Sequence, residues 1–139
     1  MTQSIREVMA KDPVTVTADA TVLDAARCMR DRDIGDVMIV DGDRVTGILT
    51  DRDIVVRAIA EGRDPATSRV AEVASMDLVT LSPEDSFDQA VKLMRQHDIR
   101  RLPIVENGRP VGIVSIGDLA MERDRDSVLG DISSAPPNN

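Results

Sequence analysis

The 139-residue sequence is nearly empty of aromatic side chains: Phe87 is the only one, and tryptophan and tyrosine are absent. A core built from this sequence must therefore consist of valine, isoleucine, leucine, methionine and alanine. The missing aromatics also remove the stacking platforms on which single-strand nucleic-acid binders hold bases. A net charge of −8 argues further against duplex DNA or an anionic membrane as a partner.

The sequence has one cysteine, Cys28, so no intrachain disulfide can form, and a reducing cytoplasm is the expected compartment. Cys28 falls in a helical pattern, where it is either a packing residue or a redox-sensitive thiol. No apolar run approaches the roughly 20 residues of a membrane span. The first four residues lead directly into a repeated segment, so we expect no signal peptide.

One histidine, His97, stands without a neighbouring cluster of cysteines or carboxylates at metal-ligand spacing. It also lacks the partners of a Ser-His-Asp arrangement, so a surface histidine is the favoured interpretation. We therefore predict no metal site, no catalytic residues and no enzymatic activity.

The sequence does contain an internal repeat, because residues 5–57 align without a gap on residues 70–122. Matching pairs include Glu7-Val8 with Glu72-Val73, Asp33-Ile34 with Asp98-Ile99, and Gly47-Ile48 with Gly112-Ile113. Each copy spans 53 residues, which is marginal for burying a core, so we expect the copies to fold together. A site formed where the copies meet should occur twice, which favours binding over catalysis.

Each copy has the same predicted order of elements, β-α-β-β-α. A β-rich run (Val14–Thr17; Val79–Ser82) precedes a helix that opens on a capping pattern (Thr21 with Asp24; Ser86 with Gln89). Apolar residues at i, i+3, i+4 and i+7 then predict one buried stripe per helix. Asp-Gly and Asn-Gly turns predict a hairpin, and a second helix follows Thr50 or Ser115.

These patterns predict an α/β (α+β) fold of two pseudo-symmetric repeats packed as one module. We place the first repeat at residues 4–60, a linker at 61–68 and the second repeat at 69–122. Residues 123–139 form a C-terminal extension whose polar end, from Ser133, is expected to be disordered.

The elements that close the two hairpins, Gly47–Asp53 and Gly112–Asp118, resemble those of a tandem pair of cystathionine-β-synthase (CBS) domains, a Bateman module. The resemblance covers nearly the whole chain and is greatest to small stand-alone bacterial CBS pairs of the hypoxic-response type. It implies a regulatory module that senses an adenosine-containing nucleotide in the cleft between its repeats.

The resemblance also implies which residues hold the nucleotide: Thr50 and Asp53 in one site, Ser115 and Asp118 in the other. A carboxylate can accept both hydrogen bonds of a ribose cis-diol, and a helix start favours an anion such as phosphate. Adenine would lie among aliphatic residues, which by position are Pro13, Val14 and Ile113 for one site and Leu78, Val79 and Ile48 for the other. The competing interpretation is that each hydroxyl–carboxylate pair is only a helix N-cap.

Two arginines, Arg100 and Arg101, precede the middle strand of the second copy and would bring positive charge to a phosphate. The alternative is that both are solvated side chains at a strand end. The first copy has Gly35 and Asp36 at these positions, so we expect its site to bind a charged nucleotide less tightly.

The expected ligands are AMP, ADP or ATP, with no obligatory cofactor, and the regulated partner protein is unknown. Apolar helix faces that include Ala58-Ile59-Ala60 predict a homodimer. The alternative function is a ligand-free dimerisation or interaction module.

Overall fold

The computed structural model describes residues 4–125, which group into two compact units. Unit one consists of residues 12–78 and 105–110, and unit two of residues 4–11, 79–104 and 111–125. The extension predicted to end in disorder lies outside the described residues from position 126 onward.

The elements follow the predicted order, except that the strand expected at residues 79–82 is missing and that two short additions accompany the opening 3₁₀ turn. In chain order they are a 3₁₀ turn (Ile5–Glu7), β1 (Ala10–Lys11), β2 (Thr15–Thr17), α1 (Val22–Arg32), β3 (Asp36–Asp41), β4 (Arg44–Thr50), α2 (Asp51–Asp53) with a π-helical continuation (Ile54–Ile59), α3 (Val70–Val73), α4 (Phe87–His97), β5 (Arg101–Glu106), β6 (Arg109–Ser115) and α5 (Ile116–Arg125). The additions are β1 and α3.

Unit one contains the three-stranded sheet β2-β3-β4. Strand β2 runs parallel to β3, and α1 makes the crossover between them, as a parallel pair requires. The predicted stripe of α1 is confirmed, because Val22, Ala25 and Met29 are buried against β3 and β4. The α1 capping box is also confirmed: the Asp24 N–H donates to Thr21 Oγ1 at 3.0 Å, and the Thr21 N–H to Asp24 Oδ2 at 3.4 Å.

Unit two contains the three-stranded sheet β1-β6-β5, except for the tip of its hairpin at residues 105–110, which groups with unit one. Ala90 and Met94 of α4 are buried against it, as the apolar spacing predicts. The hairpin between β5 and β6 turns through Asn107 and Gly108, whose φ values are 55° and 82°. Both lie in the left-handed region that makes Asn-Gly a hairpin signal.

The prediction of a strand at Val79–Ser82 is wrong, because only one parallel bridge, Leu81 to Ile104, is present there. In unit one the Met38 N–H donates to Val14 O at 2.9 Å and helps to extend the parallel ladder. The second copy has Pro103 at the position of Met38, and proline has no N–H to donate. The ladder therefore shrinks to the single bridge.

The apolar surface predicted at Ala58-Ile59-Ala60 is also partly wrong. Ala58 is completely buried in the core of unit one. Ile59 and Ala60 are exposed as predicted, and 55% of the Ile59 surface is accessible. Val55 and Val56, with 59% and 44% accessible, add to the exposed apolar surface.

Candidate functional site

The Thr50–Asp53 pair closes a reciprocal capping box where β4 passes into α2. The Asp53 N–H donates to Thr50 Oγ1 at 3.1 Å, and the Thr50 N–H donates to Asp53 Oδ2 at 3.0 Å. Both side chains are half-buried, and 15% of the Asp53 side chain is exposed. One carboxylate oxygen of Asp53 is therefore committed to the backbone.

The Ser115–Asp118 pair repeats this geometry where β6 passes into α5. The Asp118 N–H donates to Ser115 Oγ at 3.0 Å, and the Ser115 N–H donates to Asp118 Oδ2 at 3.0 Å. Both residues are again half-buried. Both motifs thus form capping boxes, and in each box the second carboxylate oxygen, Oδ1, takes no part in the cap.

The first residue after each cap is hydrogen-bonded to the loop that precedes the middle strand of its repeat. The Asp51 N–H donates to Gly35 O at 2.9 Å, and the Ile116 N–H donates to Arg100 O at 2.8 Å. Across the β3–β4 ladder, Asp36 pairs directly with Thr50. The equivalent strand ends in unit two are Arg101, which opens β5, and Ser115, which closes β6.

The two sites therefore differ in the charge beside the cap. An acidic side chain, Asp36, stands on the strand position opposite Thr50. In the second repeat the corresponding position is held by Arg101, which is half-buried. Arg100 is exposed, and its side chain lines a groove between α4 and α5.

One charged neighbour of the first site was missed by the sequence analysis. The Arg57 Nε lies 3.9 Å from Asp53 Oδ1, the oxygen outside the cap, and Arg57 Nη1 donates to Val73 O at 3.4 Å. The i, i+4 spacing of Asp53 and Arg57 was the available signal. The second repeat carries Glu122 at the aligned position, so the sequence does not repeat this pair.

The aliphatic candidates are divided between the units. Pro13, Val14, Ile48 and Leu78 belong to unit one, whereas Val79 and Ile113 belong to unit two. All six are half-buried. Ile48 is held by a bridge in which it exchanges backbone hydrogen bonds with Ser75 at 3.0 and 3.1 Å, and Ile113 pairs with Ala10 of β1.

The remaining chemistry-bearing residues supply no second centre in the part of the chain that is described. Over residues 4–125, no three His, Cys, Asp or Glu side chains are grouped so that they could hold a metal ion. Cys28 is half-buried against the core of unit one, as expected of a packing residue. None of the helices within these residues has the length and apolar character needed to cross a membrane.

Comparison with known families agrees with this architecture. The model of the CBS domain matches the chain twice, at residues 5–59 and 70–124. The chain belongs to the CBS-domain family. The CBS pair is a regulatory module that often binds adenosine ligands, and proteins built on it are generally regulatory and not catalytic.

Similar proteins include other small CBS pairs. The chain is 42% identical to the CBS domain-containing protein YhcV of Bacillus subtilis over 120 residues, which cover 86% of this chain and 85% of that protein. It is 37% identical to Hypoxic response protein 1 of Mycobacterium tuberculosis over 116 residues, 83% of this chain and 81% of that one.

Solved structures share the fold. A crystal structure of Hypoxic Response Protein I with two coordinated zinc ions matches with a TM-score of 0.75 and 35% identity, over 86% of this chain and 98% of that chain. The CBS pair of protein MJ0100, crystallised with 5′-methylthioadenosine and S-adenosylmethionine, matches with a TM-score of 0.83 at 22% identity, over 91% of this chain and 100% of that chain.

Proposed function

We propose that this CBS pair is a cytoplasmic sensor that binds an adenosine-containing nucleotide at the Thr50–Asp53 and Ser115–Asp118 helix starts. Binding of the nucleotide would then regulate a separate partner protein. The observation that carries the proposal is the recurrence, in both repeats, of a half-buried carboxylate whose Oδ2 is held by the backbone while Oδ1 lies outside the cap.

The chemistry of the two capping boxes suits a ribose. A carboxylate fixed by its cap is already oriented, so little side-chain entropy is lost when a ribose hydroxyl donates to the second oxygen. The same carboxylate would repel a phosphate, which belongs nearer to a cation. Because the Arg100 side chain lines the α4–α5 groove, we assign the phosphate contact to Arg101.

The aliphatic candidates would surround the base. With Phe87 as the sole aromatic residue, adenine would rest on aliphatic side chains, such as Val14 at one site and Ile48 at the other. That a distant protein of this fold was crystallised with two adenosine-containing ligands supports the ligand class and leaves the particular ligand open.

Thermal unfolding with adenosine, AMP, ADP, ATP and S-adenosylmethionine tests the proposal. A ligand that binds only the folded state at a hundredfold excess over Kd stabilises it by about 2.7 kcal/mol. We expect at least one adenine nucleotide to raise Tm, and its 2′-deoxy analogue to raise Tm less. GTP at the same concentration controls for ionic strength and polyphosphate binding. No shift with any adenine compound at millimolar concentration would contradict the proposal.

The second candidate is a ligand-free interaction module. It is favoured by the fact that both hydroxyl–carboxylate pairs already have a complete structural role as capping boxes. Under this alternative the protein would still assemble, and no nucleotide would change its stability.

We also propose a homodimer in which the π-helical segment lies at the interface. Val55, Val56 and Ile59 are all exposed on this segment, and neighbouring apolar side chains of this kind are typical of interaction surfaces. Analytical ultracentrifugation at micromolar concentration should give twice the 15.1 kDa chain mass. Ile59→Asp should shift it to the monomer, whereas Ala18→Asp, at an exposed turn position, should not. A monomeric wild type would contradict the proposal.

A further inference from the structure

Arg57 joins the first candidate site to a neighbouring helix. Its Nε lies 3.9 Å from Asp53 Oδ1, the carboxylate oxygen outside the cap, and its Nη1 donates to Val73 O at 3.4 Å. Val73 is the last residue of α3, and a helix leaves the carbonyl groups of its last turn without intrahelical partners. One guanidinium group therefore contacts both the oxygen assigned to ribose and the end of α3.

The backbone that carries Arg57 differs between the two repeats. Residues Ile54–Ile59 form a π-helix, in which the Ala60 N–H donates to Val55 O, five residues back, at 2.9 Å. Such turns are rare and are frequently found at functional sites. The aligned segment of the second repeat belongs to the regular helix α5 and has Glu122 in place of Arg57. The sequence therefore gives this cation to the first repeat alone.

The two side chains of this ion pair are held to different degrees. The Asp53 side chain is 15% exposed, and the Thr50 N–H fixes its Oδ2 at 3.0 Å. The Arg57 side chain is 53% exposed. Ion pairs that are open to solvent contribute little to stability, because water screens them and the long side chain loses entropy. Arg57 can therefore move away from Asp53 at small cost, while the carboxylate stays in place.

We propose, resting on the function proposed above, that Arg57 is a latch that a ribose hydroxyl must displace from Asp53 Oδ1. In the empty protein the guanidinium group lies against this oxygen and holds Val73 O. A ribose hydroxyl that donates to Oδ1 takes its place. Because the guanidinium group is rigid and planar, its displacement from Asp53 also breaks its hydrogen bond to Val73 O.

The released helix end adjoins the same site. Val70 and Val73 of α3 are buried in the core of unit one, and Ser75 exchanges backbone hydrogen bonds with Ile48, an aliphatic candidate, at 3.0 and 3.1 Å. The latch therefore has two consequences. It lowers the affinity of the first site for ribose, and it makes the order of residues 70–75 depend on whether the site is occupied.

Titration calorimetry with adenosine tests the first consequence, in an Asp118→Ala background that leaves the first site alone. Arg57→Gln removes the charge and should lower the Kd for adenosine about two- to fivefold, the range that an exposed ion pair accounts for. Arg57→Lys keeps the charge and should change Kd less. Arg52→Gln, at an exposed position of α2, removes the same charge and should leave Kd unchanged.

The same comparison in the otherwise wild-type chain does not depend on the folding of Asp118→Ala. There, Arg57→Gln should strengthen the weaker of the two binding events. An adenosine Kd that is unchanged or raised by Arg57→Gln would overturn the latch and leave the proposed function standing. Weaker binding of AMP with unchanged binding of adenosine would overturn it too, and would identify Arg57 as a phosphate contact.

Hydrogen–deuterium exchange, read by mass spectrometry, tests the second consequence. Saturating adenosine should accelerate exchange of the amides of residues 70–75 in the wild type. Arg57→Gln should show the faster exchange without ligand, and adenosine should then add little. Exchange of 70–75 that adenosine leaves unchanged or slows would overturn the latch. Absence of adenosine binding in every one of these proteins would contradict the proposed function itself, and the latch with it.

Discussion

At the residue scale, the two candidate carboxylates combine a structural and a chemical task. Asp53 and Asp118 each accept a backbone hydrogen bond at 3.0 Å that fixes the start of a helix. The proposed contact with ribose would use the remaining oxygen. A third box, Thr21 with Asp24 at the start of α1, has the same hydrogen bonds and no proposed ligand. This third box can therefore serve as a control that has the capping task without the proposed ribose contact.

Substitutions in the Ser115–Asp118 capping box should change the stability of the fold and the affinity for nucleotide to different extents. Ser115→Ala removes the cap acceptor and should lower the free energy of unfolding by about 1 kcal/mol. Asp118→Asn keeps an oxygen that can accept from the Ser115 N–H, so its stability should fall less. Its nucleotide affinity should nevertheless fall about tenfold or more, because a hydrogen bond to a charged group contributes about 1.5–3 kcal/mol.

Urea denaturation and titration calorimetry on the same preparations would measure both quantities. Asp24→Asn in the α1 box is the matched control, expected to leave affinity unchanged. Equal affinity of Asp118→Asn and the wild type would remove Asp118 from the nucleotide site.

At the element scale, a neighbouring backbone segment packs closely against a glycine in the second strand of each hairpin. A Cβ added at Gly47 would lie 2.9 Å from Ser75 O, and one added at Gly112 would lie 2.8 Å from Ala10 O. The sulfur atoms of Met76 and Met9 lie 2.6 Å from the same Cβ positions. The glycine that opens each Gly-x-x-Thr/Ser-x-x-Asp element is therefore required by packing.

We expect Gly47→Ala and Gly112→Ala each to lower the free energy of unfolding by about 1–3 kcal/mol, since overpacking forces the backbone to shift. Gly117→Ala should instead raise the free energy of unfolding. Its Cβ would meet only Ser115 Oγ at 3.6 Å, and alanine is the better helix former in α5 by about 0.5–1 kcal/mol. Urea denaturation midpoints would show whether the signs differ as predicted.

Local sequence signals predicted the elements that are specified locally. The caps at Thr21 and Ser86 and the Asn107-Gly108 turn depend on neighbours within three residues, and all three are present. Strand β1 depends on pairing with Ile113, about one hundred residues away, and its two residues carry no alternating pattern. The loss of the Val79–Ser82 strand depends on a proline in its partner strand. Such long-range causes have no local signature.

The candidate site shows the same division. The spacing of Thr50 and Asp53 predicted their contact, and the repeat predicted that Ser115 and Asp118 would copy it. The pairing of Asp36 with Thr50 could be derived only from the strand register. The ion pair of Asp53 with Arg57, in contrast, had a sequence signal in its i, i+4 spacing, which was missed.

At the scale of the whole molecule, the compact units are not the sequence repeats. Residues 4–11, which begin the first repeat, belong to unit two, where β1 pairs with β6. Residues 70–78, which begin the second repeat, belong to unit one, where Ser75 bridges to Ile48. Each repeat therefore contributes its first segment to the unit of the other. The second copy alone would lack β1 of its sheet, and the first copy alone would lack the bridge from Ile48 to Ser75.

The two sites of the molecule should bind a charged nucleotide unequally. At the first site, Asp36 stands opposite Thr50, and the Asp53 oxygen outside the cap, Oδ1, lies 3.9 Å from Arg57 Nε. A phosphate there would meet a like charge, and a ribose would compete with the arginine. At the second site, Arg101 replaces Asp36 and can form a charge-assisted hydrogen bond to phosphate.

We therefore expect the Ser115–Asp118 site to bind ATP or AMP more tightly than the Thr50–Asp53 site. In titration calorimetry, Asp118→Ala should remove the tighter of two binding events, and Asp53→Ala the weaker. Asp36→Arg should narrow the difference, because it gives the first site the charge of the second. With uncharged adenosine the difference in affinity between the two sites should shrink, because adenosine has no phosphate to interact with Asp36 or Arg101. Loss of the tighter event in Asp53→Ala, with Asp118→Ala unchanged, would reverse the assignment and show that Arg57 strengthens the first site.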